Sequence, residues 1–178
     1  MTPLDRCLGW LMQVEGGFAN VVSDRGGPTM SGWTQKSYDA WRDYKGLPPR
    51  PVDEITVIEW RQGYEDVYWL GVRAPELPAR LAIALTDAAV HHGPAQAIKF
   101  LQRAVLTVAD GLLGPKTLAA TREVIQRYGE WALLERLQDI ENRLLALELQ
   151  PRPLVWLIGK PFEHIEQVDT HAPSGMKH

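Results

Sequence analysis

In this 178-residue chain the residues best placed to do chemistry come early: Glu15 stands directly before Gly16-Gly17, and Asp24 and Thr29 follow in a turn-rich stretch. The residues ahead of Glu15 predict a helix, so its carboxyl falls at the negative pole of the helix dipole. That placement favours the protonated form, and partial burial would favour it further. A carboxylic acid still protonated near neutral pH is what glycosidic cleavage requires of its general acid. The two glycines let a polysaccharide approach the backbone closely. If residues 18–33 fold back as a hairpin, Asp24 or Thr29 faces Glu15 across a cleft, one side donating a proton and the other positioning water. Spacing by itself leaves a plainer alternative open, a solvated glutamate beside a glycine helix stop.

The elements that must hold these residues are helical. Leu4, Leu8, Leu11 and Val14 share one stripe with Cys7 beside them, predicting an amphipathic helix over residues 3–15 that stops at Gly16-Gly17. Gly26-Gly27-Pro28 and its polar neighbours predict a small hairpin or an ordered loop. A helix follows from Thr34 to near Gly46, and Thr56 with Glu59 forms a capping-box pattern that opens another, running toward Trp69. Residues 79–92 are small, apolar and free of breakers, and so predict a buried central helix. Gly93-Pro94 and Gly114-Pro115 each place a proline at a helix start, predicting helices over 94–106 and 116–127. The last, over 130–149, stops before Pro151 and Pro153. The expected fold is mainly α, with a hairpin or ordered loop after the first helix.

Composition narrows the function. Hydrophobic residues make up 45% and charged residues 23%, enough for a core built without disulfides or metal. Cys7 is the one cysteine, which excludes an internal disulfide and a multi-cysteine zinc site. Its place in an apolar stripe predicts a small buried residue and a poor nucleophile. A net charge of −3 gives no reason to expect a nucleic-acid partner. Met1 to Val14 carries Asp5 and Arg6 and lacks a long apolar run, so neither a signal peptide nor a transmembrane segment is expected. Action outside the cytoplasm would then need another factor for delivery. No Gly-x-Ser-x-Gly elbow is present. His91 and His92 are helix neighbours about 100° apart and cannot both chelate one ion, so no metal and no cofactor are expected. Asp87 shares a face with His91 and predicts an intrahelical polar pair or a groove contact. Trp60, Trp69, Trp131 and Trp156 sit on helical patterns and fit core positions, whereas Trp33 is an even choice between core and sugar platform.

The run VEGGFANVVSDRGGPTMSGWTQKSYDAW resembles the signature of glycoside hydrolase family 108, small lysozyme-like muramidases common among phage endolysins. The matching pieces are Glu15-Gly16-Gly17-Phe18, Asp24-Arg25-Gly26-Gly27-Pro28-Thr29 and Gly32-Trp33-Thr34-Gln35. Tyr68-Trp69, the segment from Asp87 to Val105 and DGLLGPKTLAA from Asp110 also match, so that the likeness spans roughly residues 4–125. It implies a lysozyme-like domain that hydrolyses peptidoglycan between N-acetylmuramic acid and N-acetylglucosamine, acting as a monomer. Glu15 is the implied acid, with Asp24 and Thr29 as catalytic partners. Candidate sugar contacts are Gly16, Gly17, Ser31, Trp33, Tyr38, Trp69, His91 and Gln102. Met30, Ser31 and His91 depart from the family pattern inside the implied groove. DGLLGPKTLAA also resembles the turn of peptidoglycan-binding modules, dividing the chain into a catalytic region 1–106 and a C-terminal part 107–178 packed on it. The alternative for that turn is a purely structural joint. Alternatives for the whole are a lytic transglycosylase and a non-catalytic wall-binding or phage structural protein.

Overall fold

The computed structural model describes residues 1–14, 29–30 and 32–148. The fold is mainly α and lysozyme-like, with seven helices and one two-stranded sheet among those residues. Helix α1 (Pro3–Val14) starts at a reciprocal cap, in which Asp5 accepts hydrogen bonds from Thr2 N at 2.9 Å and Thr2 Oγ1 at 2.7 Å. The same carboxylate meets Arg61 at 2.5 Å, which ties the start of α1 to a later helix. Arg61 first, then Thr2, holds the Asp5 carboxyl well below the usual range. The stripe read from the sequence is the buried face: Cys7, Leu8 and Leu11 lie inside. Burial and the nearby Asp87 push the Cys7 thiol up to about 12, so it stays protonated and inert.

Strands β1 (Thr29–Met30) and β2 (Trp33–Thr34) pair antiparallel, Thr29 opposite Thr34 and Met30 opposite Trp33. Gly32, at φ +81°, makes the left-handed step that lets the chain reverse between them. Helix α2 (Gln35–Tyr44) begins at the Thr34–Ser37 capping box, and α3 (Val57–Tyr64) at the Thr56–Glu59 box. Then α3 runs on into a π-helical turn, Glu65–Trp69, which the sequence pattern did not predict. Gly71 is obligatory behind it, because a Cβ there would lie 2.1 Å from the Val67 carbonyl oxygen. Short 3₁₀ turns occupy Val52–Glu54 and Ala74–Glu76.

Helix α4 (Ala79–His92) is the central one, buried at every residue from Leu81 to Ala89. Gly93, at φ +81°, ends it, and α5 (Pro94–Ala104) starts with proline as expected. α5 stops two residues short of the predicted end, where Leu106 takes the left-handed φ of +58°. Helices α6 (Pro115–Tyr128) and α7 (Glu130–Glu148) complete the bundle, α6 against α7 and α7 against α5 and α4.

Two polar contacts set how α7 lies on α4. Glu130 Oε1 accepts from Leu81 N at 3.3 Å, and Glu141 Oε1 meets His92 Nε2 at 3.0 Å. Each pair is 49 residues apart in sequence, so the helices run parallel and in register over three turns, about 16 Å. Between the polar contacts, Leu133, Leu134 and Leu137 fill the same stripe and are buried. Trp131 departs from its expected core role: it is exposed, with the Arg80 guanidinium 5.1 Å above its ring. Trp156 lies outside the described residues. No helix among the described residues is long and apolar enough to cross a membrane.

Candidate functional site

Glu15, Gly16, Gly17, Asp24 and Ser31 lie outside the described residues, so the structure is informative about the frame around them. That frame enters at Val14, the last residue of α1, and leaves at Thr29, whose backbone forms β1. The four residues Gly32-Trp33-Thr34-Gln35 secure the exit, each by different physics. Gly32 supplies the reversal. Trp33 anchors β2 in the core, Thr34 caps α2, and Gln35 fastens the proline-rich loop. Its side chain donates to the Arg50 carbonyl at 3.0 Å and accepts from Val52 N at 2.7 Å.

Trp33 sits at the centre of an aromatic cluster. Its ring lies 5.8 Å from Tyr64, 6.1 Å from Trp41 and 6.3 Å from both Tyr38 and Tyr68. Gly63 makes the close approach possible, since a Cβ there would lie 2.6 Å from Trp33 Cζ2. Trp33 is 1% exposed and Tyr38 0%, so both are core residues with no face open to a sugar. The indole Nε1 of Trp33 is buried and lacks a hydrogen-bond partner among the described residues. Behind the cluster, buried Arg42 donates to Tyr38 Oη at 3.0 Å and pairs with Glu59, which also meets Arg50 at 2.9 Å. Across from it, Asp66 in the π-turn accepts from Trp41 Nε1 at 3.0 Å and pairs with Lys45 at 2.8 Å.

The π-turn decides which ring of the Tyr68-Trp69 pair faces out. Trp69 is buried at 7% exposure, while Tyr68 is partly exposed and lies 5.1 Å from Tyr64. The stacking surface expected of Trp69 is therefore turned into the core, and Tyr68, which sequence reasoning passed over, is the accessible ring of the two. The Tyr-Trp motif marked the place, and the extra residue in the turn decided the orientation.

On α4, His91 is exposed, and its Nε2 stands 3.9 Å from Asp87 Oδ1 one turn back, the intrahelical pairing its spacing predicts. His92 points the other way, toward Glu141 and the Phe100 ring, whose centroid is 5.3 Å away. Burial and the Asp87 charge push the Glu141 carboxyl up to about 7. Glu141 and His92 were both overlooked from sequence, since their contact joins residues 49 apart. Among the described residues no group of three or more His, Cys, Asp or Glu side chains converges to hold a metal ion.

Gln102 is 1% exposed, so its expected contact with sugar gives way to a structural role. Its amide donates to Asp110 at 2.6 Å and to the Leu112 carbonyl at 3.0 Å, and accepts from Gly111 N at 2.9 Å. The Asp110-Gly111 turn is thus wired to α5 from within. Gln102 is also the main cause that holds the Asp110 carboxyl below its usual range.

Residues 8–93 match the family model for glycosyl hydrolase 108. Among solved structures, Brucella abortus SagA superposes with a TM-score of 0.68 and is 29% identical, over 86% of this chain and 82% of that one. No curated protein matches the chain by sequence. The family match and the structural likeness make the chain a glycoside hydrolase.

Proposed function

We propose that this glycoside hydrolase is an N-acetylmuramidase of bacterial peptidoglycan, with Glu15 as general acid and Asp24 and Thr29 positioning the attacking water. The observation that carries the reading is the family match over residues 8–93, which takes in the whole run from Glu15 to Gln35. The described frame supports it. A helix ends one residue before Glu15, and an anchored hairpin strand begins at Thr29, so the stretch between is held at both ends.

In this mechanism the Glu15 carboxyl protonates the leaving oxygen of the β-1,4 bond. The anomeric carbon then breaks its bond to that oxygen and accepts a water oxygen from the opposite face, and Asp24 takes the water proton. Thr29 holds that water through its hydroxyl. His91 and Tyr68 line the groove as sugar contacts, the first from α4 and the second from the π-turn. The enzyme works as a monomer on wall polymer reached after delivery by another factor.

Glu15→Gln tests the reading most directly. The variant is expected to fold as the parent does yet lose nearly all lysis of purified cell walls, because an amide cannot donate the proton. Wild-type clearing by that variant would remove the proposal. Asp24→Asn and Thr29→Ala are expected to lose less. Mass spectrometry of the digest should find reducible N-acetylmuramic acid ends. Mainly 1,6-anhydro ends would make the chain a transglycosylase, sparing Glu15 and overturning the water-positioning role.

A further inference from the structure

Glu141 is a costly residue to bury. It is 2% exposed, with one oxygen on His92 and the other without a hydrogen-bond partner among the described residues. A leucine would serve the α4–α7 contact better if packing were its only purpose, because a buried carboxyl loses hydration that a single hydrogen bond does not restore. The position is unfavourable in charge as well. Asp87 stands one turn back on α4, and the helix C-terminus adds its own negative pole. The ionisable groups gathered here are Asp87, His91 and His92 on α4, Cys7 on α1, which feels Asp87, and Glu141 on α7. From α5 the neighbour is the uncharged Phe100 ring.

The geometry points to Glu141 as a positioning residue: by gripping His92 from α7 it fixes the last turn of α4 and hence the direction in which His91 faces the sugar groove. The argument is one of rotation. Adjacent helix residues project about 100° apart, so a fixed inward direction for His92 sets the outward direction of His91. The in-register contact at the other end, Glu130 on Leu81 N, stops α4 from sliding along α7. Beyond His92 the helix ends at once in Gly93, whose positive φ offers no further helical hydrogen bonding to stiffen the turn. Glu141 does that from outside the segment that matches the family, residues 8–93. Its carboxyl, pushed up to about 7, keeps its proton at mildly acid pH and gives it up or shares it with His92 as the pH rises. The grip is therefore expected to change across neutrality.

This inference rests on the groove role proposed for His91, and its test separates the two. Glu141→Leu and Glu141→Gln are made in the full chain and compared with the parent in wall hydrolysis from pH 5 to 8, in thermal unfolding, and in the NMR signals of the His91 imidazole. Glu141→Leu is expected to keep the melting temperature yet raise KM, for about a tenfold loss in kcat/KM, the usual scale of a small misplacement. Glu141→Gln should come within a few-fold of the parent at pH 5 and lack the parent's change between pH 6 and 8. The His91 imidazole signals should shift in both variants. Activity and pH profile equal to the parent in both variants, with His91 signals unmoved, would overturn the proposal. If the parent cuts no wall polymer, the proposed function fails while the His91 signals still decide the role of Glu141. Should Glu141→Leu not fold, Glu141→Gln carries the test through its pH profile and those signals.

Discussion

Two regions frame the candidate site, and they hold it by opposite means. On one side, β2, α2 and the π-turn are joined through rings: Trp33 packed on Gly63 and surrounded by Tyr38, Trp41, Tyr64 and Tyr68. On the other, α4 is fastened to α7 by carboxylates, Glu130 at its start and Glu141 at its end. The ring cluster draws on buried apolar area, which is insensitive to pH and salt. The carboxylate clasp depends on protonation and on helix ends, which respond to both. One wall of the groove is thus fixed in all conditions, and the other is tuned by them.

Trp33→Ala is the largest way to break that comparison. Truncating a fully buried tryptophan is expected to destabilise the chain by about 3–5 kcal/mol. Chemical unfolding should give the same loss at pH 5 and pH 8, because the rings around Trp33 carry no charge that titrates there. The variant should also lose wall-lytic activity, since β1 and β2 are anchored through this ring. A loss that varies strongly with pH would mean that the cluster is coupled to the carboxylates.

Next in size is the pH trend set by Glu141. Its carboxyl holds a proton to about 7 in the folded chain and to the ordinary carboxylate range when unfolded. Between those values the folded state binds the extra proton. Stability is therefore fully present below the unfolded value and falls as pH rises through the folded one. The span amounts to on the order of 3 kcal/mol between about pH 4.5 and 7. Thermal unfolding of the parent should show this decline and Glu141→Gln should lack it. Parallel curves for the two proteins would show that the burial of Glu141 has no electrostatic consequence.

The ring side was more legible in the sequence than the carboxylate side, and the reason is range. Helix starts at Thr34, Thr56, Pro94 and Pro115 are written in a few adjacent residues, as is the stop at Gly93, and all five are found in the structure. Cys7 was readable because a stripe of apolar neighbours is a local signal. The π-turn was not, because one added residue per turn leaves the composition unchanged while rotating every side chain after it; Tyr68 and Trp69 exchanged roles for that reason. Gln102 looked available for sugar because its partners, Asp110, Gly111 and Leu112, come together only through a turn. Glu141 sits in a helix of alternating charge where a solvated glutamate is the ordinary expectation. What buries it is His92, 49 residues earlier. For Glu15 and Asp24 the argument rests on sequence pattern and family likeness, because both lie outside the described residues.

The smallest effects sharpen the comparison at the helix caps, since each region contains one. Thr34 caps α2 with a hydroxyl that accepts from Ser37 N at 3.2 Å, and Glu130 caps α4 with a carboxylate on Leu81 N at 3.3 Å. A hydroxyl cap acts through short-range hydrogen bonding, so Thr34→Ala should remove about 1 kcal/mol whatever the ionic strength. A carboxylate cap adds attraction to the positive helix pole and to Arg80, whose guanidinium lies 3.7 Å away. Glu130→Gln keeps the side-chain length and removes the charge, so only that attraction is lost. About 0.3–1 kcal/mol is expected at low salt, shrinking as added salt screens the pole. Urea unfolding of both variants at two ionic strengths makes the check. A salt-independent Glu130→Gln loss would mean that its cap acts as Thr34 does, by geometry, and the contrast between the two walls would then rest on Glu141.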